Sequence, residues 1–317
     1  MINRELIRIK LVQVLYSYIQ KGLHNPDVAE KELLLSLDKA YDLYNYMLML
    51  MVEVGRMSVR MLEMRQNRSK KLGDGILWSH KFADNRFILC LESNRQLRDY
   101  CDEQALSWAD QEEFVRALYN KVEESQYYKD YMAATTSSFE EDREVWRLIY
   151  RNLIANNDEL ADILEDINVY WNDDKVIVDT FVLKTINRFT EDSTASQPLL
   201  PEYKADADRD FAIKLLRRAL IGQESLYTLL SSSTQGWDFK RIALMDRIIL
   251  QLGLAEITSF PAIPISVSIN EYVEIAKMYS TPKSGKYINA TLDTIAKKLM
   301  EEGKLVKDQS ATPASPQ

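Results

Sequence analysis

The chain has 317 residues, 46% of them hydrophobic, and a formal net charge of −8. Only 9 Gly and 8 Pro punctuate it, and apolar residues recur mostly at three- and four-residue spacing, which favours long helices over sheets, so an all-α fold is predicted. Its longest purely apolar run, Met47 to Val52, is far below the roughly 20 residues of a membrane span. The charged opening Met1 to Glu5 is unlike a signal peptide, so a cytoplasmic protein is expected.

In chain order, the first helix is predicted over 3–20, with Ile9, Val12, Leu15, Tyr16 and Ile19 on one side. A long helix follows from about Asp27 past Met64, rich in Tyr and Met, a pattern that suits core packing better than an adaptable binding groove. Residues 69–80, with Gly73 and Gly75, read as a loop. Helical segments are expected near 84–105, 109–133, 138–156 and 158–170, and again after Trp171 to Asp174, where Asp or Asn caps a helix start. The stretch 191–202 reads as a linker. Helices are predicted beyond it near 206–230, 238–258, 266–280 and 282–302, with a disordered tail over 308–317. The domain reading is therefore a first helix in 1–22, an acidic helical insertion in 23–200, and a C-terminal helical domain in 201–307.

Charge is unevenly spread. Residues 22–208 hold 22 basic and 36 acidic side chains, whereas 209–307 hold 14 basic and 10 acidic, and the first 21 residues are also net basic. A polyanion should therefore meet the two ends of the chain and avoid the middle. The two cysteines, Cys90 and Cys101, and the two histidines, His24 and His80, are too few and too scattered for a disulfide framework or a zinc site. No cofactor or metal is expected.

Three local patterns carry chemistry. Ser268 and Glu271 have the spacing of a capping box, which is structural. At the next joint, Pro282 suits a first helical position with Thr281 as cap, so Lys283 falls in the first turn and opposes the helix dipole. Free backbone amides, Lys283 and Lys286 would make a phosphate site, with Tyr287 offering a ring to a base; an ordinary solvated helix start fits the same residues. In the first helix, Arg4 and Arg8 share the azimuth of Leu15 and Ile19, so the first two turns are expected to overhang the core. They would either touch phosphates or cover the core edge with their stems.

The string Arg8 to Ser17 (RIKLVQVLYS) resembles the opening of the NusB family, and the C-terminal region is a more specific match. Asp246-Arg247-Ile248-Ile249-Leu250, then Pro264 followed by Ile269-Asn270-Glu271 and Ala276-Lys277, then Ser284 to Asp293, follow the order and spacing of that family. The resemblance covers a little over a third of the chain and leaves 23–200 without a counterpart in compact members, as in the enlarged form found in Bacteroidota. It implies a helical bundle that pairs with the ribosomal protein NusE and grips the single-stranded boxA element of nascent RNA. The complex would join elongating RNA polymerase and suppress termination, notably on ribosomal RNA operons. Position by position, it puts Arg4, Arg8 and Tyr16 on the RNA-facing first helix, Lys283, Lys286, Tyr287 and Asn289 on a second RNA-facing segment, and Asp246 in the NusE-facing helix.

The sequence departs from the family in its arginine run, thinned to Arg4 and Arg8 around Glu5, and in Ala290, which replaces a usual Gly. An alternative is an interaction scaffold that docks RNA polymerase or a ribosomal protein through its acidic insert without binding RNA. The sequence speaks against an RNA methyltransferase, some of which carry a similar domain, because there is no glycine-rich cofactor loop, no strand–helix alternation and no Pro-Cys nucleophile.

Overall fold

The computed structural model describes residues 1–233 and 242–308. The predicted helix start at 238–241 and the tail beyond Asp308 lie outside the described residues. Among those described, the elements are α1 (Arg4–Gln20), α2 (Pro26–Leu72), α3 (Arg86–Glu92), α4 (Arg95–Glu103), α5 (Glu112–Glu124), α6 (Gln126–Ala133), α7 (Phe139–Ile149), α8 (Asp158–Ile167), α9 (Lys175–Arg188), α10 (Asp206–Ile221), α11 (Gln223–Ser233), α12 (Leu244–Ser259), α13 (Ile265–Tyr279) and α14 (Ser284–Glu301). No strand occurs among the described residues, and a single isolated bridge pairs Ile2 with Tyr203. The protein is all-α. None of its described helices is long and apolar enough to cross a membrane.

At two of the places where one predicted helix becomes two, a capping side chain marks the break; between α10 and α11 the break falls at Gly222. Asn94 accepts the amide of Leu97 at 3.0 Å between α3 and α4, and Ser125 accepts that of Tyr128 at 3.3 Å between α5 and α6. Each satisfies an amide that a helix start leaves without a partner. α7 opens with a complete capping box, Ser138 with Glu141, and ends in a wider π-type turn over Tyr150–Ile154.

The chain divides into two compact units, one of Met1 and Asp38–Glu202, the other of Ile2–Leu37 and Tyr203 onward. The first is organised around the Tyr- and Met-rich part of α2: Tyr44, Met47 and Met51 are fully buried, whereas Met64 is 58% exposed. Three of its four tryptophans, Trp108, Trp146 and Trp171, are sealed in the core. The indoles of Trp108 and Trp171 donate to the carbonyls of Tyr46 (2.9 Å) and Lys39 (2.8 Å), so burial of these rings leaves neither donor unmet. The stretch 191–202 is non-helical but docked: the amide of Arg95 donates to Ala195 O at 2.9 Å, and Tyr41 Oη donates to Leu200 O at 3.1 Å.

In the second unit α12 is the central element, packed against α1, α10, α11, α13 and α14. Ile248, Ile249, Leu250, Leu252, Leu254, Ala255 and Ile257 are all fully buried, so the helix is apolar on every side. Gly253 permits this closeness, since a methyl group there would sit 2.8 Å from Leu292 Cδ1 and 3.2 Å from Tyr272 Cδ2. Arg217 on α10 reaches Glu30 (2.6 Å) and Asp27 (3.3 Å) and holds the start of α2 to this unit.

The expected overhang of the first helix is corrected. Between Leu6 and Val12 every residue of α1 is buried, Arg8 and Lys10 included. The helix is in the core from Leu6, already in its first turn, and Arg8 meets carboxylates there rather than solvent.

Candidate nucleic-acid interface

Arg8 lies at the centre of a buried ionic knot. Its Nε and Nη2 donate to the two carboxylate oxygens of Glu256 on α12 at 2.8 and 2.9 Å, and Nη1 donates to Glu271 on α13 at 2.9 Å. Glu256 also accepts from Ser268 Oγ at 2.7 Å and Tyr272 Oη at 3.1 Å, so its lone pairs are saturated. Burial pushes the Arg8 guanidinium down, but the hydrogen bonds and charge of Glu256, with Tyr272 and Glu271, more than reverse this and leave it above its ordinary value. Burial raises the Glu271 carboxyl against the pull of Arg8.

The capping box anticipated at Ser268 and Glu271 is not formed. α13 begins at Ile265 with Pro264 at its cap, so Ser268 is already the fourth helical residue. Both side chains serve the arginine knot instead. Glu256 and Tyr272, the other members, were missed in the sequence because nothing local marks a glutamate in an apolar helix as the partner of an arginine 248 residues away.

Arg4 is less tightly held. Its Nε lies 3.3 Å from Asp208, its guanidinium is over the Phe211 ring at 5.0 Å, and its side chain remains 45% exposed. The same ring carries Arg8 at 5.6 Å. Two cations thus share one aromatic ring in addition to their carboxylates.

At the opposite end of α13, Asp246 near the start of α12 accepts Ser280 Oγ at 2.6 Å and Ser284 Oγ at 2.9 Å. Thr281 Oγ1 is 2.8 Å from the Ser284 hydroxyl. This hydroxyl cluster clamps the turn 280–284, so α14 starts at Ser284 rather than Pro282 and Lys283 becomes its cap residue. Lys283 and Lys286 are exposed, and among the described residues neither has an ion pair. Tyr287 is half-buried, and its hydroxyl is raised by burial, against the hydrogen bond with Thr291, with Asp246 adding to the rise. Asn289 is exposed and lines a cleft of about 520 Å³ with Asn270 and Asp293, between α13 and α14.

The predicted residues therefore form two groups. Gln13 Nε2 donates to Tyr279 Oη at 3.1 Å, which brings the second half of α1 to the end of α13, and Tyr16, one turn further on, is 38% exposed there. Arg8 meets α13 at Glu271, and the eight residues from Glu271 to Tyr279 separate the ends by about 12 Å of helix. Tyr16 and the lysine turn lie toward one end of α13, Arg4 and Arg8 toward the other.

A family model described as the NusB family matches residues 176–297. The chain is similar to a protein of Salinibacter ruber named transcription antitermination protein NusB, 36% identical over 133 residues that cover 40% of this chain and 82% of the relative. Proteins of the same name from Chloroherpeton thalassium and Carboxydothermus hydrogenoformans are 32% and 40% identical, over 47% and 64% of their own lengths and 31% and 29% of this chain. No solved structure matches.

Proposed function

The chain belongs to the NusB family, and we propose that it is a non-enzymatic transcription antitermination factor, of the enlarged kind found in Bacteroidota. In this reading it holds boxA-type single-stranded RNA together with NusE on elongating RNA polymerase. The observation that carries the reading is the exposed pair Lys283 and Lys286 on a clamped helix start, beside Tyr287 and Asn289. Two cations near the unpaired amides of a helix N-terminus make a phosphate contact, and the neighbouring ring and amide can meet a base edge or face. Tyr16, exposed toward the same end of α13, extends the surface. Asp246 would act on the partner indirectly, by holding the turn from which these side chains project.

The test is a fluorescence titration of a boxA-like RNA with the full chain, with and without NusE. Lys283→Glu combined with Lys286→Glu should lower affinity at least ~10-fold and flatten the salt dependence by about two contacts. Unchanged binding sinks the reading. A second reading, a scaffold that docks a protein through the acidic unit, draws on the internal neutralisation of Arg8, which reduces the cations available to RNA. In that case the double variant would leave antitermination intact.

A further inference from the structure

The first unit is strongly acidic as a whole, with 36 acidic against 22 basic residues over 22–208, yet its charge is segregated. Residues 60–71 carry Arg60, Arg65, Arg68, Lys70 and Lys71 against Glu63 alone. At about 100° per residue, Arg60, Asn67 and Lys71 share one face of α2, with Arg68 at its edge, and all four are exposed. From Arg60 to Lys71 this row runs roughly 16 Å. Lys70 and Lys71 offset the helix dipole at its C-terminus, but that effect is confined to the last turn and does not account for Arg60, three turns earlier.

Beyond Leu72, Gly73 and Gly75 adopt positive φ (65° and 67°) and reverse the chain. The return brings Trp78 and His80 against Gln66, Ser69 and Lys70, around an open cleft of about 650 Å³. His80 Nε2 lies 2.7 Å from Gln66 Nε2, and Trp78 remains 38% exposed. Arg65, forked onto Glu123 at 2.5 and 2.6 Å, braces the indole with its guanidinium 5.4 Å from the ring centroid. Trp108, Trp146 and Trp171 are at most 2% exposed, so Trp78 stands apart from them.

We infer that this end of α2 is a second contact for single-stranded RNA, with phosphates along Arg60, Arg68 and Lys71 and a base in the Trp78 cleft. A cationic row ending in one aromatic wall, ringed by amide, hydroxyl and imidazole groups, fits backbone tracking plus base stacking. An acidic protein segment would be served by the lysines alone and has no use for the polar ring around the indole. Only the choice of RNA over DNA rests on the function proposed above; the contact itself does not depend on Lys283 or Lys286. On this inference the expectation that a polyanion avoids the middle of the chain would not hold at this end of α2, because a regional net charge averages over a pole of opposite sign.

The test uses the full chain and a short fluorescein-labelled single-stranded RNA, titrated at rising KCl. Lys70→Glu with Lys71→Glu should weaken binding at least ~5-fold and lower the salt slope by about one to two contacts. Trp78→Ala should weaken it by roughly 5-fold or more. Thermal melts of each variant, and the milder Lys70→Gln with Lys71→Gln, check that folding is intact. Crosslinking of 4-thiouridine-labelled RNA should mark peptides from 60–80, and should still do so in a Lys283→Glu, Lys286→Glu background. That background separates failure of the lysine turn from failure of this contact. Wild-type affinity and no crosslinks in 60–80 overturn the inference. So does displacement of RNA by polyglutamate of equal charge with no dependence on Trp78, which would mark a dock for acidic proteins.

Discussion

The two ends of α13 carry similar cations to opposite ends. At its start one arginine is surrounded by Glu256, Glu271, Ser268 and Tyr272 and has almost no contact with water. At its end two lysines face solvent, and Asp246 of α12, the carboxylate that holds the turn, is occupied by hydroxyls. Residue type therefore does not decide whether a cation is structural or available. The carboxylates brought to it by the fold do.

The largest effect that can break this comparison is at Arg8. Arg8→Met should leave Glu256 buried without its cation and cost about 3–5 kcal/mol, read as a fall in the urea midpoint. Adding Glu256→Met should restore much of the loss, because a matched apolar pair of similar volume avoids the desolvation of both charges. If Arg8→Met melts like the parent and loses only RNA affinity, the knot is not structural and the comparison collapses.

A smaller effect is expected at the other end. Asp246→Ala removes the acceptor of one buried and one half-buried hydroxyl and should cost about 1–3 kcal/mol, with RNA affinity falling secondarily as the turn loosens. Asp246→Asn keeps one acceptor oxygen and should recover roughly half of this. A variant that melts normally but no longer binds NusE would move Asp246 from a clamp to a contact.

Weaker again is a site where carboxylates crowd. Burial, a hydrogen bond to Asp38 and the charges of Asp38 and Asp42 raise the Glu202 carboxyl to about 7, opposed by the chain N-terminus. A raised folded value means that its stabilising contribution is complete below the usual carboxylate range and is lost as pH rises through about 7. Because Glu202 is only half-buried, screening should hold the change to about 1 kcal/mol. Melting between mildly acid and mildly alkaline pH should show it, and Glu202→Gln should flatten the profile.

How much of this was legible depended on range. The helices could be read because apolar spacing and caps are local; the joint before α14 was marked by a proline, three hydroxyl residues and two lysines within seven positions, although the helix starts two residues later than expected. Arg8 could not be read correctly. Its azimuth placed it on the apolar face, and the sequence offers no sign of whether such an arginine is covered by solvent or by a glutamate from α12. Ser268 and Glu271 failed in the opposite direction: a real local pattern was overruled by a long-range partner. The basic row on α2 was hidden in a different way, inside a segment whose summed charge is negative.

The smallest stability effect is also the sharpest test. Lys283 caps α14 and Lys286 lies in its first turn, where no acidic side chain is present and the helix dipole disfavours positive charge. Replacing both by Glu should raise stability by a few tenths of a kcal/mol while RNA affinity falls. That opposition of signs is what a ligand-driven choice predicts, since residues retained against local preference need a gain elsewhere. Calorimetry on the Lys283→Glu, Lys286→Glu protein, paired with the RNA titration, reads both quantities on one sample. Lower stability with unchanged affinity would make the two lysines part of the scaffold and remove the contrast between the ends of α13.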